Sequence, residues 1–181
     1  MKTIYLAGGC FWGLQKFLDQ FDGVVSTETG YANGDTEHPS YEDVRYKLTG
    51  HTETVKIKYD EKKLPTEQLL SYFFMAIDPL SVNKQGEDEG INYRTGIYYD
   101  DPSLGKEIKE AYEKEEKKVG KPLAVELLPL KNYYSAEEYH QKYLDKHPDG
   151  YCHISPALLN LRKTLEEAAK SANGQPKEQK A

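Results

Sequence analysis

The chain has 181 residues, with 24 Lys and Arg against 30 Asp and Glu, a formal net charge of −6 and 38% hydrophobic residues. This size and composition suit one globular domain, while the negative charge and the lack of a basic stripe disfavour binding to nucleic acid. No apolar run approaches the roughly 18 residues that a membrane-spanning helix requires.

Two cysteines, Cys10 and Cys152, stand near opposite ends of the chain. The apolar stretch before Cys10 is too short for a signal peptide, so we expect a cytoplasmic protein without a membrane partner. A permanent disulfide is disfavoured in a reducing compartment. The two thiols are therefore either a transient catalytic pair or unrelated, and the residues alone leave both interpretations open.

The N-terminal residues predict a strand that leads directly into a helix. Residues 3–7 form a short apolar run, Gly8 and Gly9 allow a tight turn, and apolar residues at 14–21 recur at helical spacing. Cys10 is therefore predicted beside a helix N-terminus, where unpaired N–H groups favour a thiolate over a thiol. This placement suits a nucleophile.

Two large aromatic residues, Phe11 and Trp12, follow Cys10, and Trp12 is the only Trp of the chain. Beside a reactive sulfur they are suited to line a pocket for a small apolar group. The alternative is an ordinary buried cysteine with two aromatic residues that anchor the core.

Further along the chain, predicted strands and helices alternate. The strands are residues 23–31, 54–59, 94–99 and 123–130, and the helices are residues 64–77, 103–119, 135–147 and 155–165. Ser103 is predicted to cap the second of these helices, and Ser135 with Glu138 to form a capping box for the third. Residues 80–93 form a long loop of the kind that is usually functional.

This alternation predicts a two-layer α/β (α+β) sandwich in a single domain, residues 1–170. The polar residues 171–181 are predicted to form a disordered tail.

Glu53 is a candidate acid because it stands at the start of the best-defined strand pattern. If it is buried, its pKa rises and it donates a proton at neutral pH, whereas the alternative is an exposed Glu at a strand edge. His51 or His140 would suit a cysteine hydrolase if either lay near Cys10. Cys152 with His153 is too small a set for a metal site, so we expect no metal.

Eight segments together resemble the A-type methionine sulfoxide reductases, and they occur in that family's order over residues 4–154. They are Gly8-Gly9-Cys10-Phe11-Trp12-Gly13, Gly30-Tyr31, Pro39-Ser40-Tyr41-Glu42-Asp43-Val44, Gly50-His51-Thr52-Glu53, Gln85-Gly86-Glu87-Asp88, Asn92-Tyr93-Arg94, Glu138-Tyr139-His140-Gln141-Lys142-Tyr143-Leu144 and Gly150-Tyr151-Cys152. The resemblance implies a two-layer α/β sandwich with a ferredoxin-like core of mixed sheet and packed helices.

The resemblance also implies a role for each matched residue on the substrate side. The Cys10 thiolate attacks the sulfoxide sulfur, and Phe11 and Trp12 form the apolar pocket for the terminal methyl group of the substrate. Asp88 matches an acid that helps to hold the substrate.

The remaining matched residues act on the sulfoxide oxygen and on the oxidised cysteine. Glu53 protonates the oxygen, with Tyr41 and Tyr93 beside it, and Cys152 resolves the sulfenic acid that forms on Cys10. Thioredoxin then reduces the resulting disulfide.

The implied activity is reduction of the S-epimer of methionine sulfoxide, free or in proteins, by a monomer without metal or organic cofactor. Many relatives carry a cysteine where this chain has Arg45-Tyr46-Lys47-Leu48, so a relay through a third thiol is excluded. A cysteine hydrolase is the first alternative function. An aromatic-rich peptide-binding module is the second, since the chain has 15 Tyr.

Overall fold

The computed structural model describes residues 1–174. The strands within them are β1 Lys2–Ala7, β2 Val24–Ala32, β3 Thr52–Tyr59, β4 Lys84–Gln85, β5 Asp88–Glu89, β6 Gly96–Tyr99, β7 Glu126–Pro129 and β8 Tyr133–Ser135. The α-helices are α1 Phe11–Asp19, α2 Tyr41–Tyr46, α3 Thr66–Ala76, α4 Gly105–Val119, α5 Tyr143–Lys146, α6 Pro156–Leu159 and α7 Leu161–Gly174. Short 3-10 turns are formed by Ile91–Tyr93, Pro102–Leu104 and Glu138–His140.

Six strands form one mixed sheet in the order β7-β6-β1-β3-β2-β8, and β4 pairs with β5 in a separate small hairpin. All neighbours in the large sheet are antiparallel except β6 and β7, which are parallel and joined through α4. A parallel pair requires such a crossover because its strands run in the same direction. This mixed sheet with packed helices confirms the predicted α/β class.

The main core lies on one face of the sheet because side chains alternate between the two faces along each strand. Ile4 and Leu6 of β1 and Val55 and Ile57 of β3 are fully buried in a cluster that includes apolar residues of α1, α3 and α4. The opposite face carries a smaller cluster that contains Tyr5 and other buried residues, packed against Leu130 and Tyr133. The core therefore fixes β1 and β3 at the centre of the molecule.

Two predicted helix starts are wrong. Ser135 is the last residue of β8, and its hydroxyl donates to Glu28 across the sheet at 2.8 Å, so it caps no helix. Ser103 lies inside the 3-10 turn that precedes α4, and there the Asp101 carboxylate accepts from the Ser103 N–H. A long-range contact with Glu28 thus replaces the cap predicted at Ser135, and a cap by Asp101, two residues earlier, replaces the one predicted at Ser103.

The predicted helix of residues 155–165 is divided at Asn160 into α6 and α7. α7 continues to Gly174, so residues 171–174, predicted to belong to the tail, are helical. The rest of that predicted tail, residues 175–181, lies outside the described residues. In the described part of the chain, none of the helices has the length and apolar character needed to cross a membrane.

Candidate active site

The sheet brings the end of β1 and the start of β3 to the same edge. The two strands are antiparallel and pair Leu6 with Val55, so two residues further on Gly8 is level with Glu53. β1 also pairs with β6, with Ala7 opposite Gly96, and this places the turn that contains Tyr93 at the same edge. Residues far apart in sequence therefore meet just beyond β1.

Cys10 is the N-cap residue of α1, as the sequence predicts, and it is 7% exposed. The turn into the helix depends on Gly9, whose φ is +80°, a conformation that side-chain-bearing residues rarely adopt. A Cβ atom at Gly9 would also lie 2.8 Å from Cβ of Gln85. The glycine pair is thus required to turn the chain from β1 into Cys10.

Seven of the eight site residues predicted from the sequence line one cavity of about 290 Å³. Its lining consists of Cys10, Phe11, Trp12, Tyr41, Arg45, Tyr46, Glu53, Asp88, Tyr93 and Tyr151. The eighth predicted residue, Cys152, is not among them. The cavity combines one thiol, two carboxyl groups and several phenols, a set suited to proton transfer at a bound polar group.

Glu53 is a buried acid in the middle of this cavity. It is 2% exposed because β3 is a central strand, so the alternative of an exposed edge residue is wrong. Its Oε1 accepts from the N–H of Phe11 at 3.1 Å and its Oε2 from Nδ2 of Asn92 at 3.5 Å. Burial raises the pKa of Glu53 to about 8, so the carboxyl group holds its proton at neutral pH.

The Cys10 thiol is also protonated at neutral pH. Burial, followed by the charge of Glu53, raises its pKa well above the usual value, although the N–H groups of Trp12 and Gly13 act in the opposite direction. The prediction that the helix start favours the thiolate is therefore wrong for the net pKa. The loss of solvation on burial outweighs the stabilisation of the anion by the N–H groups at the helix N-terminus.

Tyr41 and Tyr93 both line the cavity. Burial is the main cause that raises the pKa of both phenols, and the Glu53 charge adds to it. Nη1 of Arg45 donates to the hydroxyl of Tyr93. Both phenols thus stay protonated and can donate hydrogen bonds to an oxygen atom bound in the cavity.

The aromatic wall beside Cys10 is held by His140. Nε1 of Trp12 donates to Nδ1 of His140 at 2.9 Å, and the indole stacks on Tyr143 with ring centroids 3.7 Å apart. The Phe11 ring lies 5.1 Å from the ring of His140. His140 is 1% exposed, and burial lowers its pKa, so it stays neutral and accepts the indole N–H. Phe11 and Trp12 are therefore fixed in orientation.

Asp88 lies on β5, within the long loop predicted to be functional. Its Oδ2 is buried and has no hydrogen-bond partner among the residues described. Burial raises the pKa of Asp88, while the hydroxyl of Tyr151 hydrogen-bonds to the carboxyl group and acts in the opposite direction. Asp88 thus offers an unused acceptor to the cavity.

Cys152 lies beside the first turn of α1. Its Sγ packs so closely that a Cβ at Gly13 would lie 3.0 Å from it. It lines a second cavity of about 230 Å³, and both cysteines are free thiols. His153 anchors this segment, with Nε2 at 3.0 Å from the carbonyl oxygen of Gly8. The structure therefore brings Cys152 to α1 without bringing it into the Cys10 cavity.

The two histidines considered for hydrolysis make other contacts. His51 is buried beside Thr49, with its Nδ1 at 2.8 Å from the threonine hydroxyl, and His140 binds Trp12. No histidine of residues 1–174 hydrogen-bonds to Cys10. In the same residues, no group of three or more His, Cys, Asp or Glu side chains is arranged to hold a metal ion.

Four residues of the site carry no predicted role. Arg45, Tyr46 and Tyr151 line the cavity, and Asn92 donates to Glu53. Asn92 stands beside Tyr93 in one of the matched segments, and this adjacency was a usable signal. Tyr151 likewise stands beside Cys152 in a matched segment, whereas Arg45 and Tyr46 reach the cavity through the folding of α2, which no local pattern reveals.

Comparison with known proteins agrees with this arrangement. A family model described as peptide methionine sulfoxide reductase matches residues 2–172. The peptide methionine sulfoxide reductase MsrA of Clostridium acetobutylicum is 54% identical over 159 residues, which cover 88% of this chain and 98% of that protein.

Solved structures show the same fold. Mxr1 from Saccharomyces cerevisiae in reduced form matches with a TM-score of 0.80 at 36% identity, over 85% of this chain and 91% of that chain. Mxr1 in complex with Trx2 matches with a TM-score of 0.55 at 26% identity, over 78% and 84% of the two chains. The resemblance inferred from the sequence is confirmed: the chain belongs to the peptide methionine sulfoxide reductase family.

Proposed function

We propose that the protein reduces the S-epimer of methionine sulfoxide, free or in proteins, to methionine, and that a thioredoxin regenerates it. One observation carries this proposal: a cysteine thiol and a protonated carboxyl group share a cavity with two phenols. Sulfoxide oxygen is a poor leaving group unless it is protonated or strongly hydrogen-bonded. The cavity supplies both a proton and hydrogen-bond donors.

In the first step the Cys10 thiol loses its proton and its sulfur forms a bond to the sulfoxide sulfur, while Glu53 gives its proton to the oxygen. Tyr41 and Tyr93 donate hydrogen bonds to that oxygen as negative charge develops on it. The bond between the two sulfurs then breaks as the hydroxyl group moves to Cys10, which leaves a sulfenic acid on Cys10 and releases methionine. The proton that the Cys10 thiol lost restores the protonated form of Glu53. The thiol thus supplies both electrons.

Single-epimer specificity follows from three attachment points around the sulfur. Phe11 and Trp12 accept the methyl group, the oxygen faces Glu53 and the phenols, and the main chain of the substrate reaches Asp88. The opposite epimer exchanges the positions of two of these groups, so its oxygen meets the apolar wall.

In the second step the Cys152 thiol attacks the sulfenic acid, which releases water and leaves a Cys10–Cys152 disulfide. Packing of Cys152 against Gly13 supports this pairing, since Gly13 is three residues from Cys10. Because Cys152 lines a different cavity, its segment must move for the bond to form.

A thioredoxin dithiol then returns both cysteines to thiols. The relative Mxr1 has been crystallised with Trx2, which supports this type of reductant. We propose that thiols supply all the electrons, so no metal or organic cofactor takes part. Two free thiols suit a reducing compartment, and the cytoplasmic location and the monomeric state stay predictions.

The test is a thioredoxin-coupled assay with each epimer of methionine sulfoxide. We expect turnover of the S-epimer and none of the R-epimer, and turnover of neither would refute the proposal. Hydrolysis of an acyl ester by the same preparation would instead support a cysteine hydrolase, for which the structure offers no histidine bonded to Cys10.

A further inference from the structure

Arg45 stands in the last turn of α2 and lines the Cys10 cavity while its side chain stays exposed. Its guanidinium carbon lies 5.4 Å from the ring centroid of Tyr46 and 5.9 Å from that of Tyr93, and Nη1 donates to the Tyr93 hydroxyl. These partners are neutral phenols. Two phenol groups cannot accept hydrogen bonds from all five N–H groups of the guanidinium.

The positive charge of Arg45 is not neutralised by the protein. Within residues 1–174, no carboxylate lies within 4.0 Å of it, whereas the other two arginines of the chain are paired. Arg94 binds Glu126 at 3.0 Å, and Arg162 binds Asp22 at 2.8 Å. Within the described residues, Arg45 is therefore a cation that two tyrosines hold beside Cys10 and that has no ion-pair partner.

Asp88 lines the same cavity and is also without an ion-pair partner among the described residues. Arg45 lowers the pKa of Asp88, so the two groups attract each other through the cavity. They nevertheless lie too far apart for a direct ion pair, and Oδ2 of Asp88 is buried without a hydrogen-bond partner. The cavity thus keeps an acceptor and a cation at separate points.

This separation matches the main chain of a methionine sulfoxide unit, which carries an N–H on one side of its α-carbon and a carbonyl or carboxylate on the other. We infer that Arg45 binds a carboxylate on the carbonyl side of the substrate while Asp88 accepts from its N–H. The preferred substrates are methionine sulfoxides that carry a free α-carboxylate or an acidic side chain directly after them. This inference rests on the proposed function and names its substrate class.

A guanidinium suits this role because its planar N–H groups bind a carboxylate in a charge-assisted, two-point arrangement. The contacts with Tyr46 and Tyr93 hold the group before the substrate arrives, which reduces the entropy lost on binding. A methionine sulfoxide inside a peptide chain, without an acidic residue after it, offers Arg45 only a neutral carbonyl oxygen. Arg45 therefore adds less to the binding of such a substrate.

The test compares kcat/KM for three substrates, each as the S-sulfoxide. They are N-acetylmethionine sulfoxide, its neutral N-methylamide, and the N-acetyl dipeptide amide in which a glutamate follows the methionine sulfoxide. We expect at least one acidic substrate to exceed the N-methylamide by about tenfold or more, and whichever does so identifies the source of the carboxylate. In R45Q this ratio should fall close to 1. R162Q removes a remote arginine and should keep the ratio of the unaltered protein.

The ratio separates recognition from a merely structural role. If R45Q lowers kcat/KM equally for acidic and neutral substrates, Arg45 acts only through Tyr93 and the inference is wrong. Equal rates on all three substrates in the unaltered protein also overturn it.

A binding measurement keeps the inference testable if no sulfoxide is reduced. Trp12 is the only Trp of the chain and lines the cavity, so its fluorescence reports occupancy. Titration of C10S with N-acetylmethionine should give tighter binding than its N-methylamide, and R45Q should remove the difference. Equal binding of the two ligands to C10S refutes the inference, while absent turnover alone refutes the proposed function.

Discussion

Oε1 of Glu53 accepts a hydrogen bond from the backbone N–H of Phe11 at 3.1 Å. Phe11 directly follows Cys10, so this one contact fixes the acid relative to the nucleophile without any side chain of the helix. A substitution at Glu53 therefore changes its chemistry while the backbone that positions it stays in place.

For Glu53→Gln we expect the reduction step to slow by about 10²- to 10⁴-fold, the usual contribution of a positioned acid. The amide oxygen of Gln still accepts from Phe11, so the fold is retained. Methionine formed in a single turnover without external reductant measures the step, and circular dichroism checks the fold. Glu28→Gln is the control, because Glu28 binds Tyr133 and Ser135 away from the cavity. An unchanged rate in the Glu53 variant would show that the acid lies elsewhere.

The pH dependence of the first step follows from two displaced pKa values. The step needs ionised Cys10 and protonated Glu53, yet the pKa of Glu53 is about 8 and that of Cys10 is raised well above its usual value. Below about pH 8 the active form grows about tenfold per pH unit, because only the thiolate is scarce. Above it, loss of the Glu53 proton cancels the gain in thiolate, so we expect a plateau.

Single-turnover rates at low substrate concentration measure this profile. In Glu53→Gln the residual rate should continue to rise through pH 8, because the group responsible for the plateau is absent. The same break in both proteins would assign it to another residue.

For Cys152→Ser we expect one equivalent of methionine per protein and little further turnover with thioredoxin. The Cys10 cavity does not include Cys152, so the first step keeps its rate while the sulfenic acid is left without a resolving thiol. Rapid quenching gives the first equivalent, and the coupled assay gives the cycling rate. Cys10→Ser should lose both. Full cycling in the Cys152 variant would remove this residue from the mechanism.

Two helical glycines should respond differently to alanine. At Gly105 the new Cβ makes only ordinary contacts, the nearest at 3.6 Å, so Gly105→Ala should raise the free energy of unfolding by about 0.5–1 kcal/mol. At Gly13 the Cβ would lie 3.0 Å from Sγ of Cys152 and 3.3 Å from Nδ1 of His153. This crowding should cancel or reverse the gain. Urea unfolding measures both, and equal stabilisation would show that Cys152 moves aside freely.

The strand β3 is predictable from the sequence because apolar and polar residues alternate along residues 54–59. β3 was identified from residues 54–59, where each second side chain enters the core. The incorrectly predicted capping box shows the limit of local patterns: Ser135 and Glu138 have the required spacing, but Ser135 pairs with Gly30 of β2. A partner 105 residues away in sequence leaves no trace in a four-residue window.

The candidate site, like the fold, is predictable from the sequence only in part. Cys10 at a helix start follows from the glycine pair and the helical spacing after it. The burial of Glu53 does not, because it depends on β3 lying between β1 and β2. The raised pKa of Cys10 does not follow from the sequence either. The helix N-terminus lowers this pKa and burial raises it, and only the structure shows which effect is larger. The position of Arg45 at the cavity likewise depends on how α2 packs.

The two thiols line different cavities, and Cys152 packs against Gly13 in the first turn of α1. In the proposed mechanism Cys152 therefore stays outside the substrate cavity during reduction of the sulfoxide, and the contact between His153 and Gly8 is released only after methionine has formed. Sulfoxide and thioredoxin would then bind two successive forms of the protein, and we expect no complex that holds both. Only the oxidation state of Cys10 then links the two half-reactions. We therefore expect parallel lines in initial-velocity plots, the pattern of a ping-pong enzyme.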